Sequence, residues 1–211
     1  MKKKIDVLDK GFVELIDIFG GDEAAVRSAR ISYMSESNPE GNKKLIRTLM
    51  INGHESPFEH IVFTFYVKAP IFVARQWFRH RMGSFSERSG RFTEFEEEFY
   101  LPNEERAKDS VEIMRSAMHD AFETYKSLLK SGVNREVARM VLPMSLYTEW
   151  YWTVNARSLM NFLNLRADKH AQYEIREYAI AVAKLFNESC PLTYASFIRH
   201  AYKGNLMEVL V

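Results

Sequence analysis

The stretch that indicates the fold is residues 61–83, which read IVFTFYVKAPIFVARQWFRHRMG. Residues 61–67 are rich in β-branched and aromatic side chains, which favours a strand. Pro70 suits the first turn of a helix, and we expect this helix to run over residues 71–81 until Gly83 ends it. A strand followed directly by a helix, without a regular βαβ rhythm elsewhere in the chain, predicts an α+β fold.

The same signals predict further elements on both sides of this stretch. Large aromatic residues alternate with polar ones over residues 146–154, which indicates a second strand. Helical spacing and helix-ending residues predict helices at residues 22–33, 43–50, 105–129, 156–165 and 171–186, with others after Asn134 and from Pro191. No linker or repeat divides the chain, so we expect residues 1–211 to form a single domain with a mixed or antiparallel sheet flanked by helices.

Two short motifs near this stretch predict local structure, namely a helix cap and a loop. Residues 56–59, Ser-Pro-Phe-Glu, have the form of a capping box with proline at the first helical position. After Gly83 we expect a loop in which Ser84, Ser86 and Ser89 present hydroxyl groups beside backbone amides. A loop of this kind is able to hold an anion.

Composition and charge argue against several classes of protein. The 29 basic and 28 acidic side chains leave a formal net charge of +1, so no global basic field attracts nucleic acid. The most apolar stretch is shorter than the roughly 20 residues that span a bilayer. There is one cysteine, Cys190, which cannot form an internal disulfide and suits a reducing compartment. We therefore expect a soluble cytoplasmic protein that binds neither a membrane nor nucleic acid.

Positive charge is nevertheless concentrated in residues 75–91. Five arginines minus one glutamate give +4 in this segment, and an acidic run follows at residues 94–98. The planar guanidinium group forms paired charged hydrogen bonds with phosphate or carboxylate, so the segment suits a nucleotide phosphate. The alternative is a solvated charged face of a helix. The arginines are Arg75, Arg79, Arg81, Arg88 and Arg91.

Three further patterns have structural explanations. Cys190 lacks a neighbouring base or cationic cluster, so we expect a structural thiol and not a nucleophile. The His/Glu pairs at residues 54–55 and 59–60 resemble pieces of zinc motifs, but Ser and Phe stand at positions 56 and 58, where a second histidine is needed. We therefore expect no metal. The aromatic run at residues 147–152 is predicted to lie in the core or at a subunit interface, the alternative being a stacking platform for a ligand.

One motif is specific enough to indicate a family. Arg79-His80-Arg81, with Ser84, Ser89 and Arg91 at the required spacing, fills every fixed position of the signature Arg-His-Arg-x-x-Ser-x-x-x-x-Ser-x-Arg. The chain thus resembles the flavin-dependent thymidylate synthases. The similarity continues in residues 53–60, 154–158 and 161–166. The chain departs from the family pattern in having Ser where many members have Asn at position 86, and Phe where Tyr is frequent at position 92.

The resemblance implies an enzyme that methylates dUMP to dTMP, with FAD as cofactor, methylenetetrahydrofolate as carbon donor and NADPH as reductant. It also implies a homotetramer with active sites shared between subunits. In FAD binding, the residues implied are Ser56, Arg79, His80, Arg81, Glu87, Asn155, Ala156, Arg157 and Asn161, with Ser32 and His54 as further candidates. Of these, Asn155, Arg157 and Asn161 would come from a neighbouring subunit.

For dUMP, the resemblance implies a site in which Arg139 holds the phosphate across an interface. Arg166 is the implied catalytic residue, because it would lie beside the uracil and favour ionisation at ring nitrogen N3. The implied dUMP-binding residues are Gln76, Trp77, Phe78, Arg79, Glu87, Arg88, Ser89, Gly90, Arg91, Arg139 and Arg166.

Two hypotheses from other classes remain open at this point. One is a module that binds RNA or single-stranded nucleic acid, with the arginines interleaved with Phe78, Phe85 and Phe92 as stacking residues. It predicts steeply salt-dependent binding and no flavin. The other is a different flavin enzyme, such as a reductase, which would bind FAD without transferring a methyl group to dUMP.

Overall fold

Five antiparallel strands form one sheet in the computed structural model, which describes residues 3–31 and 38–206. The strands are β1 (Lys3–Val7), β2 (Gly11–Phe19), β3 (Val62–Pro70), β4 (Ser84–Glu87) and β5 (Tyr147–Asn155). Their order across the sheet is β1-β2-β3-β5-β4. The sequence predicted β3 and β5 correctly but missed the other three strands. An α+β fold with an antiparallel sheet is confirmed.

Nine α-helices surround this sheet in the described part of the chain. They are α1 (Gly21–Arg30), α2 (Pro39–Ile51), α3 (Ile71–Trp77), α4 (Glu104–Ala107), α5 (Val111–Lys130), α6 (Arg135–Ala138), α7 (Ala156–Arg166), α8 (Tyr173–Ser189) and α9 (Pro191–His200). Two short 3₁₀ helices lie at Ser56–His60 and Arg139–Val141. None of the helices in these ranges is long and apolar enough to cross a membrane.

The main core lies between one face of the sheet and the helices. Along β3, residues 63, 65 and 67 point into this core and are fully buried, which is the two-residue period of a strand with one covered face. Helix α8 packs on β1 and β2, and α7 packs on β5. A smaller apolar cluster lies under α5, around Phe122, Tyr125 and Leu146.

Helix α3 ends at Trp77, four residues earlier than expected. The amide of Phe78 still donates to the carbonyl of Ala74 at 2.9 Å, and the chain then leaves the helix to enter β4. The prediction of a serine loop was also wrong for Ser84 and Ser86, which lie in β4. These residues form a strand because pairing with β5 places Phe85 beside Trp152, with ring centroids 6.2 Å apart.

Two other local predictions were wrong. The capping box at residues 56–59 does not form, because Ser56 already lies within a 3₁₀ helix whose first turn is closed by the Phe58 amide bonding to the Glu55 carbonyl at 3.0 Å. The long helix over residues 105–129 is interrupted between α4 and α5, where Lys108 and Asp109 adopt left-handed backbone angles with φ of 48° and 62°. Ser32 lies outside the described residues.

The break before α5 turns Arg106 towards a buried carboxylate. Glu174, on α8, is 3% exposed and accepts hydrogen bonds from Arg106, from the Tyr100 hydroxyl at 3.1 Å and from Gln172 at 2.9 Å. Burial alone would raise the pKa of Glu174, but the bonds from Arg106 and Gln172 outweigh burial and hold the pKa below its usual value. The ionised carboxylate is therefore the stable form in the folded chain.

We expect Arg106→Leu to lower the free energy of unfolding by about 1–3 kcal/mol at pH 7, because a buried carboxylate loses its cation. A carboxyl group with a lowered folded-state pKa contributes stability above its unfolded-state pKa and loses it as pH falls through the folded-state pKa. The difference from the wild type should therefore shrink below about pH 4. Urea titrations at pH 7 and below about pH 4 measure this difference in the free energy of unfolding. Arg115→Leu, which removes the cation of an exposed ion pair, is the control. An equal loss at both pH values would contradict the ionic explanation.

Candidate active site

The largest group of arginine side chains faces a cavity of about 450 Å³ between α7 and the turn after α3. We call it the arginine cavity. Its lining includes four arginines and no carboxylate, with apolar walls from the sheet and from α7. The lining residues are Arg79, His80, Arg81, Met82, Trp152, Val154, Arg157, Ser158, Asn161, Leu165 and Arg166.

Local sequence explains how α7 forms one wall of this cavity. The side chain of Asn155 accepts a hydrogen bond from the Ser158 amide at 2.9 Å and so caps the helix directly after β5. Arg157, Asn161 and Leu165 then recur at every fourth position and share one face of the helix. Leu165 was missed in the sequence, although this spacing was sufficient to find it.

Arg166 joins α7 to the opposite wall through two hydrogen bonds. Its Nε donates to Nε2 of His80 at 3.0 Å, and its Nη2 donates to the carbonyl oxygen of Gln76 at 3.1 Å. Burial, and then the charge of Arg79, lower the pKa of Arg166, but a guanidinium group keeps its charge at neutral pH. Burial, and then the charge of Arg166, lower the pKa of His80 to about 4. His80 is therefore neutral at pH 7.

A second cavity, of about 300 Å³, is lined by three of the residues expected to bind dUMP, namely Glu87, Arg88 and Arg139. We call it the Arg139 cavity. Glu136 also lines it, so two arginines and two carboxylates face this space. Glu87 accepts a hydrogen bond from the hydroxyl of buried Thr148 at 2.8 Å. Arg88 donates to the backbone carbonyl of Glu94 at 2.7 Å. The side chain of Arg139 makes no hydrogen bond or ion pair with the described residues.

A third cavity, of about 460 Å³, lies on the other side of the first turns of α7. We call it the α9 cavity, because Phe197 and His200 of α9 form part of its wall. It shares Arg157 and Asn161 with the arginine cavity. Arg157 also pairs with Glu55, the neighbour of exposed Ser56, with Nε and Oε2 2.7 Å apart. The two cavities therefore adjoin along α7.

Some residues that the family resemblance assigns to different subunits also lie near one another within one chain. Arg157 and Asn161 line the same cavity as Arg79. Their contribution to the site of a neighbouring subunit stays a prediction. Arg139 likewise lines one cavity with Glu87 of the same chain. The physical reason is that β5 leads directly into α7 beside β4, so the sheet itself places these segments next to each other.

The side chains of several expected site residues pack in or against the core. The Trp77 side chain is fully buried, so it can contact a substrate only through its backbone. Ala156 is also fully buried, and Phe78 packs on Phe85 and Trp150 with ring centroids 4.7 and 5.3 Å apart. The packing of Phe78 and Phe85 removes two of the three aromatic residues that the nucleic-acid hypothesis requires for stacking.

Two expected substrate residues are held within the chain by their own contacts. The side-chain amide of Gln76 donates to Gln172 at 2.6 Å and does not line either the arginine or the Arg139 cavity. Arg91 pairs with Glu136 at 3.4 Å. Next to it, Gly90 lies so close to the ring of Phe95 that an added Cβ would come within 2.2 Å of it, which explains glycine at this position. Ser89 begins this turn through its carbonyl, which accepts from the Phe92 amide at 3.1 Å.

The expected structural roles of the cysteine and the aromatic run agree with the packing. Cys190 is fully buried, and burial followed by the charge of Asp22 raises the pKa of its thiol to about 12. Such a thiol is a poor nucleophile at neutral pH. In the aromatic run, Tyr147, Trp150 and Trp152 are buried, whereas Tyr151 is exposed. Among the described residues, no three His, Cys, Asp or Glu side chains are grouped as a metal site.

Comparison with known proteins decides the family. The family model for the thymidylate synthase complementing protein matches residues 14–192. A flavin-dependent thymidylate synthase of Thermotoga neapolitana is 58% identical over 212 residues, which cover 97% of this chain and 98% of the relative. The chain belongs to the flavin-dependent thymidylate synthase family. The resemblance inferred from the signature is thereby confirmed.

Two further proteins are similar to nearly the whole chain. A flavin-dependent thymidylate synthase of Thermus thermophilus is 46% identical, covering 95% of this chain and 80% of the relative. The crystal structure of the UMP/dUMP methylase PolB from Streptomyces cacaoi, bound with 5-Br dUMP, superposes with a TM-score of 0.87. It is 35% identical and covers 95% of this chain and 100% of that chain.

The two departures from the family pattern lie on exposed parts of the structure. Ser86 is an exposed residue of β4, and the side chain of Phe92 is 74% exposed. Neither lines the arginine cavity or the Arg139 cavity. The charged positions of the flavin-dependent thymidylate synthase signature are therefore unaffected by these substitutions.

Proposed function

We propose that this chain is an FAD-dependent thymidylate synthase that methylates dUMP to dTMP. Methylenetetrahydrofolate would donate the carbon and NADPH would be the reductant. The observation that carries the proposal is the arginine cavity, whose four guanidinium groups face a single space without a carboxylate among the lining residues. The names of its relatives and the nucleotide bound to the similar methylase agree with it.

The chemistry of the arginine cavity fits FAD. A diphosphate suits Arg79, Arg81 and Arg157, since guanidinium groups bind phosphate oxygens through paired charged hydrogen bonds. The apolar surfaces of Trp152, Val154 and Leu165 suit a flat aromatic ring. The α9 cavity adjoins the arginine cavity at Arg157 and Asn161. An elongated ligand with a central diphosphate, such as FAD, would therefore have its anionic group near these residues and one end in each partly apolar cavity. When bound, the flavin would supply the redox chemistry.

For dUMP, we propose that the phosphate lies at the Arg139 cavity. The side chain of Arg139 makes no hydrogen bond or ion pair within the described residues, so its guanidinium group is available to an anion. Arg88 lines the same cavity, with Ser89, Gly90 and Arg91 directly after it. Arg166 would contact the base and stabilise negative charge at uracil N3, which makes C5 a better nucleophile. Gln76, Trp77, Phe78 and Glu87 would complete the site, Trp77 through its backbone.

We further propose that residues 1–211 act as one domain in a cytoplasmic homotetramer with shared active sites. Large apolar side chains at the edges of the cavities support association between copies. Met82 and Leu165 line the arginine cavity and are 73% and 57% exposed, and Met140 lines the Arg139 cavity and is 76% exposed. Exposed apolar groups beside a site favour contact with another protein surface.

The visible absorbance spectrum of the purified protein tests this function. We expect flavin bands, and we expect anaerobic NADPH to bleach them faster when dUMP is present, because the base of dUMP, contacted by Arg166, would lie beside the flavin. Formation of dTMP after methylenetetrahydrofolate is added would complete the assignment. A protein that binds FAD and yields no dTMP would support the reductase alternative. A colourless protein that does not take up FAD would refute the proposal.

A further inference from the structure

Two acceptors hold the guanidinium group of Arg166 from the same side. Its Nε donates to His80 Nε2 at 3.0 Å and its Nη2 to the Gln76 carbonyl oxygen at 3.1 Å. Both acceptors belong to α3 and the turn that follows it, whereas Arg166 ends α7. These bonds fix the plane of the guanidinium group across the cavity. They leave Nη1 without a recorded partner in the described residues.

The imidazole ring of His80 is itself held in place. It packs edge to face with the ring of Phe162, with ring centroids 4.9 Å apart and an interplanar angle of 72°. Because Nε2 accepts from Arg166, the ring proton must be on Nδ1. Nδ1 makes no hydrogen bond with residues 3–31 or 38–206. The ring is therefore neutral, oriented by packing, and presents its lone pair to Arg166.

The charges around His80 preserve this acceptor. Arg79 and Arg81 flank it in the chain, and Arg157 and Arg166 face the same cavity from α7. No carboxylate lines the cavity to favour a protonated imidazole. The lowered pKa of His80 agrees with this arrangement, since burial disfavours the charged ring and a second cation would lie against the Arg166 guanidinium group. Above about pH 5 the lone pair is present in nearly all molecules.

We propose that His80 is a positioning residue that acts through Arg166, with its Nε2 lone pair aiming the guanidinium group at the pyrimidine base of the substrate. This inference rests on the proposed function, which assigns Arg166 to the base. It gives His80 a role in the electrostatics of the substrate that is separate from any contact with the cofactor. It also explains why a neutral imidazole is placed among four arginines.

The decisive test is a double-mutant cycle with His80→Leu, Arg166→Ala and the double variant. We expect His80→Leu to lower kcat about tenfold, an effect of the size of one charged hydrogen bond. Adding His80→Leu to Arg166→Ala should cause no further loss in kcat or in dUMP affinity measured by calorimetry, because the group through which His80 acts is gone. Losses that add independently would overturn the proposal.

A second variant separates positioning from packing. His80→Gln retains an acceptor near the position of Nε2, so it should recover most of the kcat that His80→Leu loses while flavin content stays equal in both. His119→Ala, which changes an exposed histidine of α5, is the control for loss of an imidazole elsewhere. Equal kcat for the Gln and Leu variants would refute the role. Absence of dTMP formation by the wild-type chain would instead refute the proposed function, and the calorimetric cycle still tests His80.

Discussion

Replacing Arg166 by alanine is expected to remove most dUMP methylation while the chain keeps its fold and its flavin. Lowering the pKa of uracil N3 by about two units requires about 2.7 kcal/mol of differential stabilisation. One unit charge at about 4 Å supplies roughly 4 kcal/mol at an effective dielectric of about 20. Loss of that charge should therefore lower kcat by about 100-fold or more.

The steady-state rate of dTMP formation and the flavin content per chain together test this prediction. Flavin should remain because Arg79, Arg81 and Arg157 still face the cavity. Arg166→Lys is the matched control, since it keeps the charge but loses the planar fork, and its activity should lie between those of the wild type and the alanine variant. An alanine variant with near-normal turnover would show that the role assigned to Arg166 is wrong.

The second large effect is on stability. Trp77→Ala should lower the free energy of unfolding by about 3–5 kcal/mol, because the indole is fully buried and alanine leaves a cavity. The ring contacts four others, with centroid distances of 5.3 Å to Trp150, 5.3 Å to Trp152, 4.8 Å to Phe162 and 6.0 Å to Tyr178. Helix α3, β5, α7 and α8 all lose packing in this variant.

Chemical denaturation with a fluorescence or circular dichroism readout measures the change. Tyr151→Ala is the control, because this side chain in the same sheet is exposed and stacks only on Tyr66 among the recorded aromatic contacts. Tyr151→Ala should lower the free energy of unfolding by less than about 1 kcal/mol. If the two variants unfold at the same denaturant concentration, Trp77 does not have the central place in the core that its burial indicates.

The parts of the fold that sequence could predict are those whose local pattern agrees with their final environment. Residues 61–67 are apolar and β-branched, and β3 lies at the centre of the sheet with β2 and β5 beside it. Strand β4 could not be found this way. Ser84 and Ser86 favour a loop by composition, and the segment becomes a strand only because distant β5 provides hydrogen-bonding partners.

Strand β2 was missed for a different reason. Its residues 13 and 15 are buried and alternate with partly exposed ones, so the two-residue period was present. The acidic residues at positions 14 and 17 obscured it, since charged side chains on the open face of a sheet lower the average hydrophobicity without affecting the buried face.

For the site, the signature predicted which residues take part but not which way their side chains point. It predicted a site with Arg79, His80 and Arg81, and the structure shows that these residues line one cavity with Arg157, Asn161 and Arg166. The binding of FAD by this cavity stays a prediction. The signature did not distinguish Trp77, whose side chain points into the core, from its neighbours. Adjacent residues of a helix point about 100° apart, and only the packing of the sheet determines which of them faces a ligand.

The pairing of β4 with β5 has a consequence for how this part of the chain can vary in length. Successive residues of a strand face opposite sides, and Phe85 is the residue of β4 that packs on Phe78 and Trp152. Inserting or deleting one residue between Ser84 and Glu87 would turn Phe85 to solvent and bring a serine or a glutamate against the core. Within the signature, we therefore expect Ser84–Glu87 to tolerate substitution at exposed positions such as Ser86, but not a change in the number of residues.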